Sequence, residues 1–150
     1  MSSGSPFVKY IPGFKVKGFS VRTQNCDEFN EKRAKLPKLW HQFYSSDLAS
    51  SANIVGVYSD YESDANGLYT VTAGITGDFE SSSLDLVKIY PGDYLVFQGE
   101  GRDSEAIVAV WHQIWTYFAA KNPYQRNFVS DFEDYNGTND IVIYIGIQSP

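Results

Sequence analysis

The chain has 150 residues, the usual length of one domain, and its 43% hydrophobic and 20% charged residues lie near the globular average, which excludes a chain that is disordered throughout. A net charge of −6 opposes binding to phosphate backbones and anionic membranes, so we expect no nucleic acid or membrane partner and expect a charged ligand to be a cation. The single cysteine, Cys26, allows no internal disulfide, and without a signal-peptide pattern at the N-terminus the sequence favours a cytoplasmic location.

Residues 1–7 are predicted to be a flexible leader, and residues 8–150 a single domain. The first half of this domain is predicted to have the order strand, helix, strand, strand, at residues 14–21, 27–49, 54–61 and 68–75. Asp27 is the predicted N-cap of the helix, and Pro37 is expected to kink or divide it. Residues 64–67 are predicted to form a turn between the two closing strands.

The second half of the chain is predicted to repeat this order. Its elements are strands at 85–90 and 94–98, a helix from 103 or 104 to about 121, and strands at 128–135 and 141–147. Pro91 and Gly92 mark a turn between the first two of these strands, and Asn136-Gly137 is a strong hairpin signal between the last two.

Two short motifs occur twice with one offset. Trp40-His41-Gln42 recurs as Trp111-His112-Gln113, and Ser59-Asp60-Tyr61-Glu62 recurs as Ser130-Asp131-Phe132-Glu133, each 71 residues later. We therefore predict two half-modules, at about 8–80 and 81–150. The expected fold class is α+β, with one antiparallel sheet built from both halves, two helices packed on it and a pseudo-twofold axis. A cleft is expected where the halves meet.

Glu133 is the main candidate for a functional residue in this cleft. Alternation along residues 128–135 places it on the strand face opposite Phe132, and the repeat makes Glu62 its predicted symmetry mate, beside Tyr58. A carboxylate among aromatic rings binds cations well, because burial strengthens the Coulomb attraction and ring faces add cation–π attraction. The alternative interpretation is an exposed carboxylate near a hairpin.

Aromatic residues make up 16% of the chain, more ring surface than a core of this size needs. Trp40, Trp111 and Trp115 lie on apolar helix faces, where packing is their default role, although one of Trp111 and Trp115 is expected to reach the cleft. Several strand tyrosines are expected near the cleft: Tyr58, Tyr69, Tyr90, Tyr94 and Tyr144. His41 and His112 are expected at the surface, and no metal site or cofactor is predicted.

Five stretches in this order are similar to a known superfamily. They are Val55-Gly56-Val57-Tyr58 followed by Tyr61-Glu62 and Tyr69, the stretch Ile89 to Phe97, the helix around Trp111, Ile114, Trp115 and Phe118, the motif Phe132-Glu133-Asp134-Tyr135, and the stretch Ile143 to Ile147. The chain resembles the gyrase-inhibitor-like or AraC-type effector-binding domains, and within them the integron-associated, stand-alone effector-binding proteins.

This resemblance implies two strand-helix-strand-strand modules with a multidrug-type pocket between them. It also implies that Glu133 is a buried acid that meets lipophilic cations. The candidate ligand-binding residues are Glu133, Trp111, Trp115, Tyr58, Tyr69, Tyr94 and Tyr144. A helix-turn-helix domain, which many relatives carry, has no room in this sequence, so direct transcription factor activity is not expected.

Three functions stay open at this point. The first is a binding module for a lipophilic, aromatic cation. The second is a hydrolase of electrophilic, strained-ring compounds, since some relatives use a pocket glutamate in that way and Glu133 would then be the general base. The third is a protein-interaction inhibitor whose acidic surface docks on a DNA-handling enzyme or a separately encoded regulator. A homodimer is also left open. The binding module is preferred, so no catalytic residue is assigned.

Overall fold

The structure is a computed structural model that describes residues 6–28, 30, 32–50, 54–63, 67–77, 84–101, 103–135 and 140–148. In chain order its elements are β1 (Phe7–Ile11), β2 (Phe14–Thr23), α1 (Asn25–Glu28), α2 (Leu36–Tyr44), a 3₁₀ turn (Asp47–Ser50), β3 (Ile54–Ser59), β4 (Tyr69–Thr76), β5 (Asp85–Ile89), β6 (Gly92–Gln98), α3 (Ser104–Ala119), β7 (Arg126–Asp134) and β8 (Val142–Ile147). Among these, no helix is long and apolar enough to cross a membrane.

The strands described here form one antiparallel sheet in the order β1-β6-β8-β7-β3-β4-β2-β5. The two halves of the chain meet where β3 pairs with β7. The outermost strands are exchanged between the halves. Strand β1 of the first half pairs with β6 of the second, and β5 of the second half pairs with β2 of the first. This arrangement confirms the predicted α+β class and the pseudo-twofold sheet. Because each half completes the sheet of the other, neither half can form its full sheet alone.

Both long helices pack on the same face of the sheet. Leu39 and Phe43 of α2 and Ile114 of α3 are buried there against β4, β6 and β8 in the main hydrophobic cluster. Asp103 caps α3, because its carboxylate accepts a hydrogen bond from the backbone N–H of Ala106 at 2.8 Å. The opposite face carries a smaller cluster around Val57 and Phe132, to which no described helix residue contributes.

The prediction of one continuous helix at residues 27–49 is wrong. Residues 27–49 form the end of α1, then α2, then the 3₁₀ turn. Pro37 lies in the first turn of α2, where its missing N–H costs no hydrogen bond, so it divides the segment as expected. Asp27 lies inside α1 rather than at an N-cap. The N-terminal end of α2 is capped instead by Glu28, which accepts from the backbone N–H groups of Lys35 and Leu36.

Several element ends also differ from the sequence prediction. The predicted leader overlaps β1, because Phe7 already pairs with Val96. Strand β3 ends at Ser59, since Asp60 has a φ of 49° and leaves the extended conformation. Strand β7 begins two residues early, at Arg126, and contains a bulge between Arg126 and Asp131 in which Phe128 has a φ of 54°. Residues 1–5, 64–66 and 136–139 and the predicted boundary near residue 80 lie outside the described residues.

Candidate ligand-binding site

A narrow cleft lies on the helical face of the sheet, between the two halves, and comprises about 290 Å³ when the space open to solvent is included. It is lined by Asn25, Tyr58, Tyr61, Tyr69, Trp111, Trp115 and Arg126. Strands β3 and β4 and helix α1 supply residues from the first half, whereas α3 and β7 supply residues from the second. The expected cleft at the junction of the two halves is therefore present.

Glu133 lies beneath the aromatic wall of this cleft and is 2% exposed. Its Oε2 accepts hydrogen bonds from the hydroxyl of Tyr58 at 2.9 Å and from Nε1 of Trp111 at 2.7 Å. Its Oε1 accepts from the hydroxyl of Tyr135 at 2.7 Å. An ionised carboxylate has about four acceptor positions, so these three donors leave about one unused. The rings of Tyr58 and Trp111 lie between the charge and the cleft.

Burial and hydrogen bonding act on Glu133 in opposite directions. Burial raises the pKa of its carboxyl group, and the hydrogen bonds from Trp111, Tyr135 and Tyr58 lower it, with a net rise. Burial also raises the pKa of Tyr58 well above its ordinary value, and the nearby charge of Glu133 adds to this rise. Tyr58 therefore remains protonated and keeps its role as a donor to the carboxylate.

Gly56 leaves the space that this carboxylate occupies. It pairs with Glu133 across β3 and β7, and a Cβ atom on it would lie 3.0 Å from Oε1 of Glu133 and 2.9 Å from Cζ2 of Trp40. Tyr58 follows Gly56 by two residues, just as Tyr135 follows Glu133. The residue that pairs with Glu133 across the junction of the two halves is thus a glycine, which leaves room for the carboxylate.

The predicted position of Glu62, on the strand face that carries Tyr58, is wrong. This residue is exposed and lies beyond the end of β3, where its backbone N–H donates to the carbonyl of Leu68. The offset of 71 residues relates Ser59 to Ser130, which pair across β3 and β7, but Glu62 lies past the last residue of β3. Sequence similarity and structural equivalence differ here because the chain turns away at Asp60 while β7 continues to Asp134.

A second charged group lies beside the cleft. The Nη2 of Arg126 donates to Oδ2 of Asp131 at 2.7 Å and to the hydroxyl of Tyr61 at 3.3 Å. Asp131 also accepts from the Tyr61 hydroxyl and from the backbone N–H of Gly146. Both side chains of the ion pair are buried. Burial lowers the pKa of Arg126, but Asp131 and Tyr61 together more than offset this effect, so the guanidinium stays charged.

Aromatic rings form a continuous wall between these two charged groups. Tyr69 lies 5.7 Å from Tyr58 and 5.7 Å from Tyr61, measured between ring centroids. On the other side, Trp111 lies 5.0 Å from Tyr58 and 6.1 Å from Trp115. Burial raises the pKa of Tyr69, and the charges of Glu28 and Glu133 raise it further, so negative potential reaches this part of the wall.

The structure brings together most of the candidate site residues. Tyr58, Tyr69, Trp111 and Trp115 line the cleft, and Glu133 lies beneath it. The expectation that Tyr94 and Tyr144 share this cleft is wrong, because both pack on the opposite face of the sheet, around Phe132. The strand pairing puts both tyrosines on the same sheet face as Phe132. Alternation along β7 puts that face opposite the one that carries Glu133.

Other expected residues lie away from the cleft. Tyr90 is 54% exposed, and His41 and His112 are both exposed. Within the described ranges, no group of three His, Cys, Asp or Glu side chains is placed to hold a metal ion. Trp40 packs in the core and contacts Tyr135 with ring centroids 5.5 Å apart.

The sequence analysis missed Arg126, Tyr61, Asn25 and Tyr135 as parts of the site. Arg126 precedes the predicted start of its strand, and its inward position depends on the bulge around Phe128. No pattern in a single sequence indicates that bulge. Tyr135 could have been found, since alternation places it on the same strand face as Glu133.

The family model described as integron-associated effector binding protein matches residues 8–147 of the chain. An integron cassette protein from the mobile metagenome of Vibrio cholerae, VCH_CASS2, is 33% identical, with a TM-score of 0.87 and 97% of each chain covered. The Bacillus subtilis (strain 168) protein YobU, described as a candidate transcriptional regulator, is 29% identical over 89% of this chain and 88% of its own. The protein SAV2435, solved with bound tetraphenylphosphonium, has the same fold, with 15% identity, a TM-score of 0.75 and coverage of 97% of this chain and 95% of its own.

Proposed function

The chain belongs to the family of integron-associated effector-binding proteins, and from this membership we propose that it holds a lipophilic, aromatic cation in the cleft above Glu133. The observation that carries the proposal is the buried carboxylate of Glu133, held by three donors directly beneath the rings that line the cleft. The complex of SAV2435 with tetraphenylphosphonium, a lipophilic cation, supports the same class of ligand.

The charge balance around the cleft favours a cation. Arg126 and Asp131 neutralise each other at 2.7 Å, so the charge of Glu133 is left without a counter-charge among the described contacts. Glu28 adds a further negative charge near Tyr69. In a partly buried site these charges are screened less than at the surface, so they attract a cation and oppose an anion.

The rings transmit this negative charge to the cleft. Tyr58 and Trp111 both donate to the carboxylate of Glu133, and a ring whose polar hydrogen is bound to an anion becomes richer in electrons. A cation resting on such a ring face gains about 0.5–2 kcal/mol from cation–π attraction. The ligand therefore does not need to touch the carboxylate itself.

The volume of the cleft sets a limit on the ligand. The enclosed space is only about 30 Å³, room for a water molecule or two, because the larger figure of about 290 Å³ includes space open to solvent. An aromatic cation therefore fits only if Trp115 or Tyr61, which are only partly buried, move outwards.

The test compares a cation with its neutral isostere. The cation is (4-acetylbenzyl)trimethylammonium, and the neutral compound is 4-neopentylacetophenone, in which a tert-butyl group replaces the ammonium group. In the Glu133→Gln variant the amide oxygen can still accept from Trp111, which can only donate, and the amide nitrogen can donate to the Tyr135 hydroxyl. The substitution therefore removes the charge while keeping the hydrogen bonds.

A cation on the ring of Tyr58 would lie roughly 7 Å from the carboxylate, which at an effective dielectric constant of about 20 corresponds to about 2.4 kcal/mol. We expect Glu133→Gln to weaken binding of the cation by about 50-fold and binding of the neutral isostere by less than about threefold, with both affinities measured by isothermal titration calorimetry. Glu105→Gln, an exposed residue on α3, makes the same change in net charge and should leave both affinities unchanged. Equal losses for the two compounds in Glu133→Gln would contradict the proposal.

A further inference from the structure

The guanidinium of Arg126 keeps a buried donor without a partner. Its Nη2 makes the two hydrogen bonds to Asp131 and Tyr61, but its Nε is buried and has no hydrogen-bond partner among the described residues. The residue is 9% exposed and lines the cleft. Buried N–H groups are nearly always paired, so an unpaired one at the edge of a cleft indicates that a partner enters with the ligand.

The surroundings of Arg126 decide the charge of that partner. Asp131 already neutralises the guanidinium. Glu133 follows Asp131 by two residues on the same strand face, about 7 Å from it along the strand. An anionic group near Arg126 would therefore face two carboxylates. A neutral acceptor, such as a carbonyl or an amide oxygen, can bind the N–H without this repulsion.

Glu133 and Arg126 lie near opposite ends of the aromatic wall of the cleft. Glu133 lies beneath Tyr58 at one end, and Arg126 lies beside Tyr61 at the other, with the ring of Tyr69 between the two tyrosines. Phe128 covers one face of the guanidinium at 4.4 Å from its ring centroid. An acceptor would therefore pair with the guanidinium at its N–H edge.

We propose that Arg126 is a second recognition point of this cleft and that the preferred ligand is an aromatic cation carrying a neutral hydrogen-bond acceptor at the end opposite its charge. The inference rests on the proposed function, since it takes the cation to lie over Glu133. It narrows the ligand class, because a simple lipophilic cation leaves Nε of Arg126 buried and unpaired.

The test uses the acetyl cation named above and (4-isopropylbenzyl)trimethylammonium, which has nearly the same shape but no acceptor. We expect the wild-type protein to bind the acetyl cation about tenfold more tightly, because its carbonyl oxygen pairs the buried donor and the isopropyl group leaves that donor unpaired. In Arg126→Lys the positive charge opposite Asp131 is kept but the Nε–H is lost. We expect the preference for the acetyl cation to fall to within about twofold in this variant.

A second measurement needs no substitution. In the nitrogen-15 spectrum of the arginine side chains, the Nε–H signal of Arg126 should shift when the acetyl cation binds and stay in place when the isopropyl cation binds. The inference is overturned if wild-type protein binds the isopropyl cation at least as tightly, if Arg126→Lys keeps the preference, or if the signal responds equally to both ligands. Each of these results leaves the preference for a cation over 4-neopentylacetophenone intact, so failure of the inference is distinguishable from failure of the proposed function.

Discussion

Replacing Gly56 with alanine tests how the carboxylate of Glu133 is held. The backbone of Gly56 has an ordinary extended strand conformation that alanine also adopts, so the effect of the substitution is steric. The added Cβ would lie 2.9 Å from Cζ2 of Trp40 and 3.0 Å from Oε1 of Glu133, both closer than an unstrained contact. Either the indole ring or the carboxylate must move.

The magnitude follows from two opposing effects. Overpacking a tight site costs ~1–3 kcal/mol. The lower conformational freedom of the unfolded alanine chain returns ~0.4–1 kcal/mol. We therefore expect Gly56→Ala to lower the free energy of unfolding by ~1–2 kcal/mol, which in a domain of this size lowers the Tm by about 2–8 °C. Displacing Oε1 also lengthens its 2.7 Å hydrogen bond from Tyr135, so the affinity for the cation should fall as well.

A double-mutant cycle with Trp40→Phe identifies the cause. Phenylalanine lacks the indole atoms that the new Cβ would meet, so it relieves part of the clash although it leaves a gap beside Phe43 and Tyr135. We expect the double variant to be more stable than the sum of the single effects predicts, by about 1 kcal/mol. Urea unfolding followed by circular dichroism gives the four free energies. An additive cycle, or an unchanged Tm in Gly56→Ala, would refute the packing argument.

Two further predictions concern the buried charges. Burial raises the pKa of Glu133, so affinity for the acetyl cation should fall as the pH is lowered through that raised pKa, whereas in Glu133→Gln the calorimetric affinity should not vary over this range. The stability of the unliganded protein should change with pH in the opposite direction. Because the pKa of Glu133 is higher in the folded than in the unfolded state, its contribution to the free energy of unfolding is fully present below the unfolded pKa and is lost as the pH rises through the folded pKa. Asp131→Asn leaves the buried guanidinium of Arg126 without its counter-charge and should cost ~3–5 kcal/mol, seen in thermal unfolding, while the exposed Asp85→Asn should cost less than about 0.5 kcal/mol. A similar Tm for these two variants would contradict the importance of the ion pair.

Local patterns were sufficient for much of the fold. The alternation along residues 128–135 correctly separated Glu133 from Phe132, and the repeated order of elements predicted the pseudo-twofold sheet. These features depend on side chains a few residues apart, which share a face because of strand and helix periodicity. Alternation alone does not say which residues of neighbouring strands share a face. If the strand pairing had been known, it would have put Tyr94 and Tyr144 on the face of Phe132 and so excluded them from the cleft.

The fold class, the two halves of the sheet and the strand face of Glu133 could therefore be predicted from the order of the residues alone. Three further features could be seen only in the folded chain: Gly56 pairs with Glu133, Tyr58 reaches the carboxylate although it is 75 positions away in the sequence, and a bulge turns Arg126 into the cleft. These features depend on the register between distant strands, which is set by the packing of the whole sheet, since a shift by one residue would move every side chain of a strand to the other face.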